Sequence, residues 1–169
     1  MKETPELTPE IRVLGVRVNT IQIPDVLSII EGWTQQKDRC HNIVVTGMHG
    51  VMQATKDPEF KELVNSADLF VPDGISLVWV SRLKGRPLKR RVSGADLMWE
   101  CLKLSERNGY GNYFYGDTPE TLEQLRIRLN RDLPNLKISG MHSPPFRQLT
   151  DEEKSQEIEM INSSGADIL

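Results

Sequence analysis

Short apolar runs alternating with helical patterns of about 10–15 residues predict a Rossmann-like α/β fold: a mostly parallel sheet with helices on both faces. Two further observations support that class. The runs Asn42 to Thr46, Leu69 to Val71 and Asn112 to Tyr115 are compact and rich in β-branched or aromatic residues, as buried strands are. Each stops at turn-forming residues directly before a helical pattern begins, at Gly47, at Pro72-Asp73-Gly74 and at Gly116-Asp117-Thr118. With 169 residues the chain suits one domain, expected over 11–169, behind a polar, Pro-punctuated lead-in over 1–10 that has no signal-peptide character.

Taken in order, Ile11 to Val18 partly alternates and reads as a first strand. Pro24 then opens a helix with Asp25 beside it, and Val26, Ile29, Ile30 and Trp33 form its apolar face. The strand ending at Thr46 leads through Gly47-Met48-His49-Gly50 into a helix carrying Val51, Met52 and Ala54. Asp57-Pro58-Glu59 starts another, with Phe60, Leu63 and Val64 facing inward. After the strand ending at Val71, Ile75 to Leu83 is apolar enough to be a helix packed on the sheet, and Gly85-Arg86-Pro87 breaks it. Ser93 to Asp96 leads into a helix with Leu97, Met98, Cys101, Leu102 and Leu104 on its buried side. Thr118-Pro119-Glu120 opens the helix carrying Leu122, Leu125 and Leu129. Leu136 to Ser139 is a strand, His142 to Phe146 contains the rigid loop Ser-Pro-Pro-Phe, and Thr150 to Glu153 is a capping box for a helix that Ile158 and Ile161 pack. Asp167 to Leu169 begins one more strand. Trp33, Trp79 and Trp99 fall at core positions.

Composition excludes several classes. Mean hydropathy is −0.41, and no apolar run approaches the roughly 18 residues of a membrane span. Net charge is −3, which gives no global pull toward nucleic acid. Cys40 and Cys101 are too few for a disulfide framework, and a reducing cytoplasmic setting follows. His41 and His142 have no spacing partners, and no metal-ligand cluster or Asp-x-Asp pair is present, so no metal and no cofactor are expected. The dinucleotide fingerprint, the P-loop and the nucleophile elbow are all absent.

In a parallel sheet the carboxyl ends of the strands form the ligand-binding edge. Three such ends carry candidate residues: Thr46 with His49, Asp73, and Gly116-Asp117-Thr118. Asp73 is either a turn residue capping the next helix or a carboxylate fixed for chemistry. His49 could serve as acid, base or sugar contact, or be a bystander. The helix after Thr118 could present backbone N–H groups to a phosphate, or Thr118 could simply cap it. Between Arg82 and Arg91 six cations occur without an acid, either a solvated loop or a site for phosphate, diphosphate or a membrane surface.

The ordered series Val45-Thr46-Gly47-Met48-His49-Gly50-Val51-Met52, Asp57-Pro58-Glu59-Phe60, Ala67 to Gly74, Arg91-Val92-Ser93-Gly94-Ala95-Asp96-Leu97, Ser143-Pro144-Pro145-Phe146-Arg147 and Asn162 to Asp167 resembles the bacterial WecG/TagA/CpsF glycosyltransferases, which include N-acetylmannosaminuronic acid and teichoic-acid N-acetylmannosamine transferases. The likeness covers nearly the whole chain from Ile11. It implies an inverting, metal-independent transfer of a sugar from a UDP-sugar to a polyprenyl-diphosphate-linked sugar, in cell-surface polysaccharide or teichoic acid synthesis. It also implies a peripheral position at the inner face of the plasma membrane, and self-association. Asp73 matches the family's proposed general base, Arg91 is placed to meet the departing diphosphate, and Thr46 to contact donor sugar or nucleotide. Many relatives have Asn at the position of Met48, so a polar sugar contact is either lost here or taken over by His49. The family's Gly-x-Gly-x-Pro-x-Gln-Glu segment and membrane-attachment tail do not occur in these residues, and a domain lacking that segment is expected. The alternative is a non-catalytic domain binding a nucleotide-sugar or a polyprenyl diphosphate.

Overall fold

The computed structural model describes residues 8–37 and 39–169, so the lead-in expected over 1–10 lies outside the described residues as far as residue 7. The chain divides into two compact units, Met1–Met98 and Trp99–Leu169.

The first unit opens with a hairpin where one strand was expected. β1 (Glu10–Val13) and β2 (Val16–Asn19) pair antiparallel, with Ile11 opposite Val18 and Val13 opposite Val16. Leu14 and Gly15 between them have φ of +52° and +82°. Positive φ at both central residues is the two-residue turn whose twist suits paired strands. Apolar residues flank the turn on both sides, which is why the stretch reads as a single strand.

α1 (Ile23–Gln36) has Pro in its first turn, and the Asp25 carboxylate accepts the Gln22 N–H at 2.9 Å. β3 (Ile43–Thr46) and β4 (Leu69–Pro72) pair parallel, with Thr46 opposite Pro72. α2 (Met48–Lys56) and α3 (Pro58–Ser66) connect them, and the Asp57 side chain accepts from Phe60 N. Val51, Ala54, Val64, Phe70 and Leu77 join the buried hairpin residues in one core. Leu63, expected inward, is exposed; α3 meets the core through Phe60 and Val64, at i and i+4, and Leu63 lies off that stripe.

The two edges of β4 are satisfied differently. Leu69 N and Asp73 N donate toward β3, to Asn42 O at 3.2 Å and Thr46 O at 3.0 Å. Phe70 N points the other way, where buried Asn19 accepts it through Oδ1 at 2.8 Å. Strand alternation puts Pro72 on that same side, so the missing proline N–H deprives the β3 ladder of nothing. The far end of β4 is pinned by Asp68, which pairs with Arg39, accepts Asn42 N at 2.9 Å and lies 3.5 Å from His41 Nδ1. Burial alone would raise its pKa, but Arg39, the Asn42 N–H and His41 outweigh that and hold the carboxyl at about 2. The His41 ring stacks on Trp33, centroids 4.0 Å apart.

α4 (Ile75–Leu83) buries Leu77, Val78 and Ser81. Trp79 therefore faces solvent and is not the core residue its position suggested. Beyond α4 the chain is held at buried Leu88, whose N–H donates to Ser81 Oγ at 3.0 Å, and at buried Val92, whose backbone pairs in parallel with Asp73.

α5 (Gly94–Asn108) begins in the first unit, where Leu97 is buried and Met98, expected to be, is exposed. In the second unit β5 (Gly111–Tyr115) and β6 (Lys137–His142) pair parallel with a register shift between Asn112 and Tyr113. β6 continues to His142, past the expected end at Ser139. At Gly140 the ring of Tyr113 occupies the space a Cβ would fill, and the strand runs on through it. α6 (Pro119–Asp132) buries Leu129, which packs with Leu102 and Leu133 against Trp99, Phe114, Leu125 and Ile138. α7 (Asp151–Ser163) carries the expected capping box of Thr150 and Glu153, though Ile158 is exposed. Ile168 then pairs in parallel with Asn112, as the strand expected over 167–169 requires. Alternating strands and helices with parallel pairing in both units realise the mixed α/β, Rossmann-like class.

Candidate active site

Asp73 follows β4 directly and is fixed on three sides. Its N–H donates to Thr46 O, its backbone pairs with Val92, and its Oδ2 accepts the Gly94 N–H at 3.3 Å. Gly74, with φ of +98°, turns the chain into α4, a backbone conformation that a Cβ would strain. Half-buried Asp73 thus has one carboxylate oxygen held by an amide at the start of α5, and no ion pair with any described residue engages it. A carboxylate so oriented can take a proton from a hydroxyl brought to its other oxygen.

β3 and its helix supply the neighbouring wall. Gly47 caps α2, and a Cβ there would lie 2.5 Å from the Asp73 carbonyl oxygen, so only glycine lets the two strand ends close up. Thr46 is half-buried; its side chain fills the space that a side chain on Gly50 would need, which sets its hydroxyl against the first turn of α2. His49 is exposed on that same turn. Arg91 is exposed and immediately precedes Val92, the residue paired with Asp73. The first unit therefore gathers Thr46, Asp73 and Arg91 at adjoining strand ends, with His49 in the turn behind Thr46.

Gly116, Asp117 and Thr118 belong to the second unit. Gly116 and Asp117 have φ of +127° and +57°, and Gly116 N donates to His142 O at 2.9 Å. Asp117 Oδ1 accepts Thr118 N at 2.7 Å, and Ser143 Oγ donates to Asp117 O at 2.5 Å. Thr118 caps α6, accepting Thr121 N at 3.2 Å. The loop is thereby tied to the end of β6.

Two features escaped the sequence reading. Gly94 N–H as the partner of Asp73 had a signal in the Ser93-Gly94 step, but 21 residues separate the two. Glu157 had none. Its carboxylate accepts Tyr115 OH at 2.5 Å and lies 3.1 Å from His142 Nε2, giving His142 a partner that spacing could not reveal. Tyr115 is shifted upward, first because its hydroxyl donates to Glu157. Among the described residues no group of three or more His, Cys, Asp or Glu could hold a metal ion.

The model of the glycosyl transferase WecG/TagA/CpsF family matches residues 11–169. A Staphylococcus aureus protein described as N-acetylglucosaminyldiphosphoundecaprenol N-acetyl-beta-D-mannosaminyltransferase is 30% identical over 154 residues, 90% of this chain and 60% of its own length. A Bacillus spizizenii protein of the same description is 34% identical over 88 residues, 52% of this chain and 34% of its own. The chain thus spans between about a third and three fifths of the length of the curated relatives it matches.

Proposed function

The chain belongs to the WecG/TagA/CpsF glycosyl transferase family, and from that premise we propose that it moves an N-acetylmannosamine-type sugar from a UDP-sugar onto a polyprenyl-diphosphate-linked sugar. The transfer inverts the anomeric carbon, needs no metal, and serves cell-wall teichoic acid or exopolysaccharide synthesis. Asp73 acts as general base. An acceptor hydroxyl attacks the anomeric carbon, its proton passes to the free oxygen of Asp73, and the bond from that carbon to the UDP phosphate oxygen breaks, its electron pair leaving on UDP. Arg91 meets the charge that develops on the departing diphosphate. Thr46 and His49 contact the donor. In the second unit, taken by itself, Gly116, Asp117 and Thr118 stand at the amino end of α6, whose backbone N–H groups can meet a phosphate.

The relatives' described acceptor is a diphosphoundecaprenol-linked N-acetylglucosamine, which supports a lipid-linked acceptor here and a peripheral position at the inner membrane face. No described helix is long and apolar enough to cross a membrane. The observation that carries the reading is the anchored, half-open carboxylate of Asp73.

Its test is UDP release from UDP-N-acetylmannosamine and from the corresponding uronic acid, with and without a lipid-diphosphate-N-acetylglucosamine acceptor. Asp73→Asn keeps an acceptor for the Gly94 N–H and loses the base, so acceptor-dependent release should fall by roughly 100-fold or more. Transfer within a few-fold of the parent would remove Asp73 as base. Tight UDP binding without transfer by the parent would assign the chain to the non-catalytic alternative.

A further inference from the structure

The face of α4 turned away from the core carries an apolar stripe. Ile75, Trp79 and Leu83 are 53%, 61% and 88% exposed. Standing at i, i+4 and i+8, they fall within an arc of about 80° at about 100° per residue. Arg82 flanks the stripe, while Leu77, Val78 and Ser81 hold the opposite, buried side.

The chain that follows continues the charge of Arg82 with Lys84, Arg86, Lys89, Arg90 and Arg91, all exposed. No acid interrupts them, and no carboxylate of the described residues pairs with any of the six. Nor is this a loose loop, since Leu88 and Val92 stake it to the core. Apolar stripe and cations share one supported surface, in a chain whose net charge is −3.

We propose that the α4 face and the adjoining basic segment form a docking surface for an anionic lipid bilayer. Charge decides among the occupants. A two-fold interface sets a patch against itself, which would bring six cations against six with no acid in the segment to offset them. A soluble polyanion would engage the cations and leave Trp79 and Leu83 in water. A bilayer satisfies both halves: headgroup phosphates take the cations from Arg82 to Arg90, and the indole and aliphatic side chains enter the boundary region. α4 starts two residues after Asp73, so docking holds that carboxylate at headgroup level, where the reacting sugar of a lipid-linked diphosphate lies. This last consequence rests on the transferase reading; the docking does not.

The test is co-sedimentation of the 169-residue chain with vesicles of phosphatidylcholine alone, or with one-third phosphatidylglycerol, at about 0.1 M salt. Binding is expected to the anionic vesicles and not to the neutral ones. The triple variant Lys84→Gln/Arg86→Gln/Lys89→Gln should bind roughly 100-fold more weakly. Trp79→Ser and Leu83→Ser, both at exposed positions, should each lose about tenfold, with unchanged far-UV circular dichroism as the folding control. Equal binding by parent and variants overturns the proposal, as does absence of binding to either vesicle. So does a solution dimer that Trp79→Ser disperses while the triple variant keeps its vesicle binding. Transfer assayed in parallel on vesicle-embedded and short-chain soluble acceptors separates the two readings. Docking variants should lose only the vesicle reaction, whereas failure with both acceptors by the parent strikes the transferase reading and leaves the sedimentation result to decide docking.

Discussion

Replacing Gly47 by alanine probes how firmly the end of β4 is held. A Cβ at Gly47 would stand 2.5 Å from the Asp73 carbonyl oxygen and 3.5 Å from its carbon, about 0.9 Å short of the 3.4 Å at which ordinary contact begins. The obstacle is main chain, so no side-chain rotation relieves it. The strands also cannot part freely, because Asp73 N is bonded to Thr46 O one residue before Gly47. Overpacking of this kind costs about 1–3 kcal/mol, and moving a reacting group by about 1 Å costs on the order of 100-fold in rate. Gly94→Ala is the matched control. Its Cβ would meet Val45 Cγ1 at 3.4 Å and Asp73 Oδ2 at 3.7 Å, both ordinary contacts. It also gains helix propensity in the first turn of α5. Urea unfolding and UDP release, measured on both, should show Gly47→Ala less stable by about 1–3 kcal/mol and roughly 100-fold slower. Gly94→Ala should unfold within about 0.5 kcal/mol of the parent. If Gly47→Ala matches the parent in both stability and rate, the close approach of the strand ends constrains nothing and the reasoning fails.

Two further predictions concern the supports of β4. Because the folded Asp68 carboxyl sits at about 2, below the ordinary aspartate value of about 3.9, its stabilisation is complete above that value and is lost as pH falls through about 2. Its partner Arg39 is 58% exposed, so screening reduces the ceiling from the shift to about 1–2 kcal/mol. Unfolding free energies of the parent and Asp68→Asn should differ by that amount at pH 6 and converge toward pH 2; a constant gap counts against the linkage. Asn19→Leu strands the Phe70 N–H in the core and should cost about 1–3 kcal/mol while speeding hydrogen exchange at Phe70. Unchanged exchange there would mean another group satisfies it.

The alternation of elements was legible because each strand run is short, apolar and bounded by Gly or Pro, signals that act locally. The misreadings have local causes as well. Gly15 was hidden because valine follows it and Val13 precedes Leu14, so the hydrophobic run spans a turn that only the positive φ at Leu14 and Gly15 betrays. The strand expected to end at Ser139 erred in the opposite sense: it runs on to His142 through Gly140, which makes room for Tyr113. Trp79 was assigned to the core by its position on the helix, and in so apolar a helix position cannot say which side of α4 meets the sheet. The buried arc Leu77, Val78 and Ser81 decides that, and Ser81 is polar.

Asp73 stood out in the sequence because the backbone on both sides of it is unusual: a proline whose nitrogen faces away from β3, and a glycine at φ of +98°. Residues of that kind advertise themselves, since few others can stand in their place. Glu157 is the contrary case. It sits in an ordinary surface helix, 42 residues from Tyr115 and 15 from His142, and acquires both partners only when α7 packs back on the strand ends. Gly94 lies between these extremes. The Ser93-Gly94 step marks a helix start, yet that its N–H orients the Asp73 carboxylate follows only from Val92 pairing with Asp73 two residues earlier. What sequence could not supply is thus the direction of the carboxylate, on which the proposed role as general base depends. An aspartate capping its own helix would spend its oxygens on the first turn of α4. Asp73 instead lends one to α5, and the backbone at Gly74 carries α4 away uncapped by any side chain.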